Sequence, residues 1–215
     1  MRRFLTLPIA GLFVLAVAGP AAAGANVSNT SGSVTIAQGY WEGFDEATQV
    51  YSYGSMGVFQ DQGSSEAYAD YNEYTEQYLQ CTGADTPDDP DDDSFGVSYT
   101  NLWGSGAATL SVGKSFSSAT ASATVALSRE SFNECTGDWS SEELPDHAVS
   151  LDLTASSATI KESGRGSFNL PGVLNEHSSY RSTYRLADGT ISGVDGEHAV
   201  EGQIGKVSWS DHANN

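Results

Sequence analysis

The densest chemical feature of the sequence is an acidic run between residues 85 and 93. Six aspartates fall within these nine positions: Asp85, Asp88, Asp89, Asp91, Asp92 and Asp93. Carboxylate oxygens at this density are the hard ligands that calcium prefers, so the run is a candidate calcium loop. It fails the EF-hand pattern, because Ser94 stands where the turn glycine belongs and Thr100 where the bidentate glutamate belongs. A solvated acidic loop is the competing interpretation.

The common catalytic signatures are missing from the sequence. The four histidines form no His-x-x-x-His pair of the kind that binds zinc on a helix: His147, His177, His198 and His212. No Gly-x-Ser-x-Gly segment marks a serine nucleophile. These failures favour a non-enzymatic role. A glycosidase pair is defined by the separation of two carboxylates in space, so an exported hydrolase stays an alternative.

Aromatic residues give a second candidate site. Four of them are candidates for ligand contact: Tyr40, Trp41, Trp103 and Trp139. Flat rings stack on sugars or pack against another protein, while their polar edges form hydrogen bonds. Cross-strand packing within the fold is the alternative role. We expect Trp103 and Trp139, which lie beside predicted loops, to be the ring systems that contact a ligand.

The first 25 residues have the layout of a secretory signal peptide. Arg2 and Arg3 precede an apolar run, and small residues then offer cleavage after Ala23 or after Ala25. The run is shorter than the roughly 20 residues that a membrane-spanning helix needs. We therefore expect a secreted or extracytoplasmic protein without a transmembrane anchor in the mature chain.

The two cysteines, Cys81 and Cys135, fit that destination. In an oxidising compartment the leading interpretation of such a pair is a disulfide. A nucleophilic thiol needs a positive neighbour to lower its pKa, whereas Glu134 directly precedes Cys135. The sequence therefore predicts a structural bridge.

The segment around the two cysteines predicts strands and an internal duplication. Apolar and polar residues alternate from residue 119 to residue 128, which is the period of a half-buried strand. Both cysteines begin a Cys-Thr-Gly segment, and at the same offset Ala67 and Ala69 match Ala121 and Ala123. With gaps, residues 97–98 match 149–150 and residues 108–110 match 158–160. The tyrosines between 68 and 78 could also lie along a helix, but the repeat favours a strand.

The rest of the chain also favours short strands. Asp188-Gly189 and Asp195-Gly196 predict tight turns. The whole pattern predicts an all-β fold, a β-sandwich of two packed and mostly antiparallel sheets with jelly-roll or Ig-like topology. We expect a flexible leader over residues 26–32, one sandwich domain over residues 33–211 and a tail over residues 212–215.

The charge excludes two classes of partner. The 215 residues include 28 acidic and 9 basic ones, a formal net charge of -19, which becomes -21 when Arg2 and Arg3 leave with the leader. Such a chain cannot neutralise phosphates, so we expect neither nucleic-acid binding nor docking on anionic membranes. The predicted function is non-catalytic binding or structural association with a polysaccharide, an envelope component or an extracellular protein. A calcium-stabilised domain is a further alternative, and no other cofactor is implied.

Overall fold

The computed structural model describes residues 28–81, 94–170 and 174–214. The predicted signal peptide, the start of the predicted leader and the whole acidic run lie outside these residues. Nine strands and one short 3-10 turn, at residues 114–116, account for nearly all of the described chain. The strands are β1 (Ser28–Asp45), β2 (Val50–Asp61), β3 (Ala67–Cys81), β4 (Ser94–Val112), β5 (Ser118–Asn133), β6 (Asp138–Ala155), β7 (Ile160–Leu170), β8 (Leu174–Ser192) and β9 (Glu197–Asn214).

All nine strands belong to one antiparallel sheet that closes on itself. Its order is β6-β5-β4-β3-β2-β1-β9-β8-β7, and residues 150–155 of β6 also pair with residues 187–192 of β8. The all-β class is therefore confirmed. The two-sheet sandwich is not confirmed, because all nine strands belong to a single sheet. Alternation could not distinguish these architectures, since each strand has one buried face in both.

The inner face of the closed sheet holds the hydrophobic core. On β5 the predicted alternation is confirmed, because Ala119, Ala121, Ala123, Val125 and Leu127 are buried while the residues between them are exposed or half-buried. The largest fully buried side chains on the other strands are Met56, Val58, Leu151, Leu153, Ile191 and Ile204. Burial of each such side chain contributes about 1.5–3 kcal/mol. The tyrosine segment is also a strand, β3, as the repeat predicted.

Only one of the two Asp-Gly pairs forms a turn. Asp195-Gly196 connects β8 to β9, and Gly196 has a φ of 137°. The prediction for Asp188-Gly189 is wrong, since both residues lie inside β8 and pair with Glu201 and Val200. A Cβ atom at position 189 would lie 1.8 Å from the carbonyl oxygen of Asp152 on β6. This glycine therefore permits close approach of the two strands that close the sheet.

The ends of the sheet differ from the predicted leader and tail. Residues 28–32 pair with residues 209–213 of β9, beyond the point where β2 begins to pair with β1. The same part of β9 pairs with β8, which pairs in turn with β7. Strands β1, β9, β8 and β7 thus extend past the closed part of the sheet. No helix in the described ranges is long and apolar enough to cross a membrane.

The predicted disulfide between Cys81 and Cys135 is confirmed. It joins the end of β3 to the residues after β5, with the Cα atoms 5.2 Å apart. The bridge passes over Gly96 of the intervening strand β4, where an added Cβ atom would lie 2.6 Å from one sulfur and 3.0 Å from the other. A glycine at this position is therefore required for the bridge to cross the strand.

Candidate functional site

A polar cluster lies at one end of the mostly apolar interior. Glu73 stands on the inner face of β3 and is only 8% exposed. Its Oε1 accepts hydrogen bonds from the Tyr71 hydroxyl and from the Val194 backbone N–H, the latter at 3.1 Å. Val194 belongs to the turn between β8 and β9, so these bonds attach that turn to β3. The next residue in the turn, Asp195, lies against the Glu73 carboxyl group.

Asp195 connects Glu73 to a histidine. His198 Nε2 lies 2.7 Å from Asp195 Oδ1, and the imidazole ring stacks on Trp41 at a centroid distance of 4.3 Å. Trp41 is 8% exposed and fixes the plane of the imidazole. One oxygen of each carboxyl group and one nitrogen of His198 lie within 4.8 Å of one another.

The surroundings of the two carboxyl groups shift their pKa values in opposite directions. Burial, together with the adjacent Asp195, raises the pKa of Glu73 to about 7. Partial burial acts to raise the pKa of Asp195 as well, but its hydrogen bonds with His198 and Glu73 outweigh burial and lower it. At mildly acidic pH the pair therefore holds one proton, with Glu73 as the acid and Asp195 as the carboxylate.

Sequence reasoning missed this cluster. Glu73 and Asp195 lie on segments that are distant in the chain, and the closure of the sheet brings them together. The i, i+3 spacing of Asp195 and His198 around a predicted turn was a local signal, but nothing in the sequence linked Glu73 to it. The two carboxyl groups are in contact, whereas those of a retaining glycosidase stand about 5 Å or more apart around a substrate.

A second arrangement lies on the outer face of the sheet. The strand registers place one residue from each of six neighbouring strands, β1 to β6, in a single row: Phe44, Tyr51, Glu76, Tyr99, Phe132 and Trp139. With strands about 4.8 Å apart, such a row spans about 24 Å. Within it, the Tyr99 and Phe132 rings lie 5.7 Å apart. Phe44 and Trp139, at the two ends, are 52% and 61% exposed.

The two adjacent rows add further aromatic rings. Tyr53 pairs with Tyr74 in the next row, and Tyr40 and Trp103 stand in the row after it. We call these four residues, with Phe44, Tyr51, Tyr99, Phe132 and Trp139, the aromatic face. Its hydroxyl groups are ordered by carboxylates: Tyr74 donates to Glu76 at 2.7 Å, and Tyr51 donates to Glu42 at 3.4 Å. Burial and the Glu76 bond raise the pKa of Tyr74 to about 12.

Three of the four aromatic residues singled out from the sequence lie on this face. Tyr40 and Trp139 are exposed, and Trp103 is half-buried in the middle of β4 rather than beside a loop. Trp41, the fourth, points inward and belongs to the core. Adjacent positions on a strand face opposite ways, so Tyr40 and Trp41 serve different surfaces.

Comparison with known proteins adds no further assignment. Neither a scan against protein-family models nor a search of curated proteins finds a match.

The aromatic face is acidic. Residues 28–160 include only two basic residues, Lys114 and Arg129, and Arg129 forms an ion pair with Glu142 at 3.1 Å. Five basic residues lie instead on β7, β8 and β9: Lys161, Arg165, Arg181, Arg185 and Lys206. The surface around the aromatic rings therefore carries carboxylates with little compensating positive charge.

Proposed function

We propose that this chain is a secreted or cell-surface protein that binds a neutral polysaccharide, without catalysis, through the aromatic face. The observation that carries the proposal is the row of five aromatic rings and Glu76 across six neighbouring strands. A row about 24 Å long matches an extended polymer better than a small molecule. A depression of about 400 Å³ beside Tyr40 and Glu201 lies at the edge of the aromatic face.

The chemistry of the face supports a sugar as the ligand. Aromatic rings bury the C–H faces of sugars, and neighbouring polar groups bond their hydroxyls. Glu42, Glu76 and Glu130 stand among the rings as acceptors for hydroxyl protons. Because these carboxylates repel anions, the proposed ligand is a neutral polymer and not a sulfated or uronic-acid polysaccharide.

The non-catalytic role is part of the proposal. The carboxyl pair with the most perturbed protonation, Glu73 and Asp195, belongs to the inner cluster and not to the aromatic face. The exported location is also proposed, and the predicted signal peptide and the disulfide support it. Calcium binding by the acidic run stays a prediction.

We further propose that the β3–β4 and β5–β6 hairpins descend from one duplicated unit. At the offset that relates Cys81 to Cys135, each buried residue of the first strand matches a buried residue of the second: Ala67 with Ala121, Ala69 with Ala123, Tyr71 with Val125 and Glu73 with Leu127. The matches proposed downstream have less support. Residues 108–110 lie within β4, whereas residues 158–159 connect β6 to β7.

A binding screen tests the proposed function. Residues 26–215 are incubated with insoluble cellulose, chitin and β-1,3-glucan, and with immobilised heparin as an anionic control. We expect retention on at least one neutral polymer and none on heparin. Trp139→Ala should weaken that retention at least about tenfold, the equivalent of 1.4 kcal/mol, because it removes an exposed ring at the end of the row. Retention on heparin alone would contradict the proposal.

A further inference from the structure

We propose that Glu73, Asp195 and His198 form a binding site for a divalent transition-metal ion, with zinc as the ion that it fits best. One ligand atom from each residue lies within 4.8 Å of the other two. In a tetrahedral zinc site with bonds of about 2.0–2.1 Å, the ligand atoms are about 3.4 Å apart. Small rotations of the side chains therefore suffice to close the three atoms around an ion.

The donor types favour a transition-metal ion over calcium. Two carboxylate oxygens and one imidazole nitrogen suit zinc, manganese or iron, whereas calcium prefers a shell made only of oxygen. Three protein ligands leave a fourth position of a zinc tetrahedron for water. Asp195 and His198 have 54% and 24% of their side chains exposed, so the site can be reached from solvent. Glu73 closes its inner side.

Residues next to the three proposed ligands hold the ligand atoms in place, as the residues around the ligands do in known metal sites. Trp41 stacks on His198 at an interplanar angle of 12°, which directs the Nε2 atom toward Asp195. Tyr71 and the Val194 N–H bond to one oxygen of Glu73 and orient its carboxyl group. Such outer contacts commonly change metal affinity by about 10–100-fold.

Charge gives an independent reason to expect a cation here. A carboxyl group that is nine-tenths buried lies in contact with a second carboxyl group, and His198 is the basic group that contacts the pair. Two carboxylates in such a position require a proton or a cation between them. A metal ion held by all three residues would take the place of the proton on Glu73 and of the hydrogen between His198 Nε2 and Asp195 Oδ1. The Glu73 proton would pass to solvent and the imidazole hydrogen to solvent or to His198 Nδ1.

Calorimetric titration of the chelator-treated mature protein with zinc chloride tests the site. We expect one ion per chain, and a melting temperature that rises with zinc concentration. His198→Gln should weaken binding at least about tenfold, whereas the control His177→Gln, on β8 outside the cluster, should leave it unchanged. Asp195→Asn should behave as His198→Gln does, and both variants change residues that are partly exposed.

Cobalt(II) gives a readout that separates this site from other acidic groups. A nitrogen and oxygen tetrahedron around cobalt gives visible absorption bands, which we expect in the wild-type protein and in His177→Gln but not in His198→Gln. Zinc binding of equal strength in His198→Gln would show that the ion binds elsewhere, for example at the acidic run, and would overturn the proposal. The absence of any zinc binding would also overturn it.

Discussion

Removal of the Cys81–Cys135 disulfide should lower the free energy of unfolding by about 4 kcal/mol. The bridge closes a loop with a sequence separation of 54, and without it the unfolded chain gains the corresponding conformational freedom. Because β4 pairs with both β3 and β5 along most of its length, we expect the folded sheet to keep these pairings without the bridge. Urea unfolding of the double variant Cys81→Ala/Cys135→Ala against the oxidised wild type measures the difference. A change below about 1 kcal/mol would contradict the assignment of a stabilising bridge.

Gly96 provides a control for the geometry of the bridge. In the oxidised protein, Gly96→Ala inserts a methyl group 2.6 Å from the sulfur of Cys81, and such overpacking costs about 1–3 kcal/mol. In the cysteine-free background the same substitution should cost less, because both sulfurs are gone. Equal costs in the two backgrounds would show that the bridge does not pass over β4 at this residue.

We expect the Glu73 titration to lower the free energy of unfolding as pH rises from about 5 to about 8 in chelator-containing buffer. The folded-state pKa of Glu73, about 7, lies above the ordinary value of 4.5. Between these values the folded state binds more protons than the unfolded state. The contribution of Glu73 to the free energy of unfolding is therefore complete below pH 4.5 and is lost as pH rises through 7. The loss amounts to about 3 kcal/mol. The lowered pKa of Asp195 has the opposite effect, which is confined to more acidic solutions.

Glu73→Gln isolates this titration from the other acidic groups. A glutamine can donate to Asp195 and accept from Tyr71 as the protonated glutamic acid does, but it does not ionise. The difference in unfolding free energy between the variant and the wild type should shift in favour of the variant as pH rises from 5 to 8. A difference that is constant across this range would contradict the raised pKa.

The sequence predicted strands and the bridge because both leave local signals, but it predicted short strands, whereas the strands are 11 to 19 residues long. Alternation over residues 119–128 reports a half-buried strand whatever the neighbouring strand is. Cys81 and Cys135 are the only pair that a disulfide could join. Asp195-Gly196 was correctly predicted as a turn because the positive φ is a property of the pair itself.

The closure of the sheet left no local signal. It depends on the pairing of β6 with β8, where Gly189 allows close approach, and the same Asp-Gly chemistry suggested a turn there. The inner cluster follows from that closure, because the turn after β8 meets β3 only when the sheet is closed. The aromatic face depends in the same way on the registers of six strands. The sequence identified Tyr40 and Trp139 as candidate ligand-contacting residues. It could not show that Trp139 belongs to a row of aromatic residues.

Polysaccharide depletion with a matched set of variants tests the aromatic face most directly. Phe44 and Phe168 are the same residue type with 52% and 55% exposure, and only Phe44 lies on the face. The double variant Phe44→Ser/Trp139→Ser should lose at least about tenfold in affinity for the polymer that retains the wild type, while Phe168→Ser binds as the wild type does. Wild-type affinity in the double variant, or an equal loss in Phe168→Ser, would contradict the proposal.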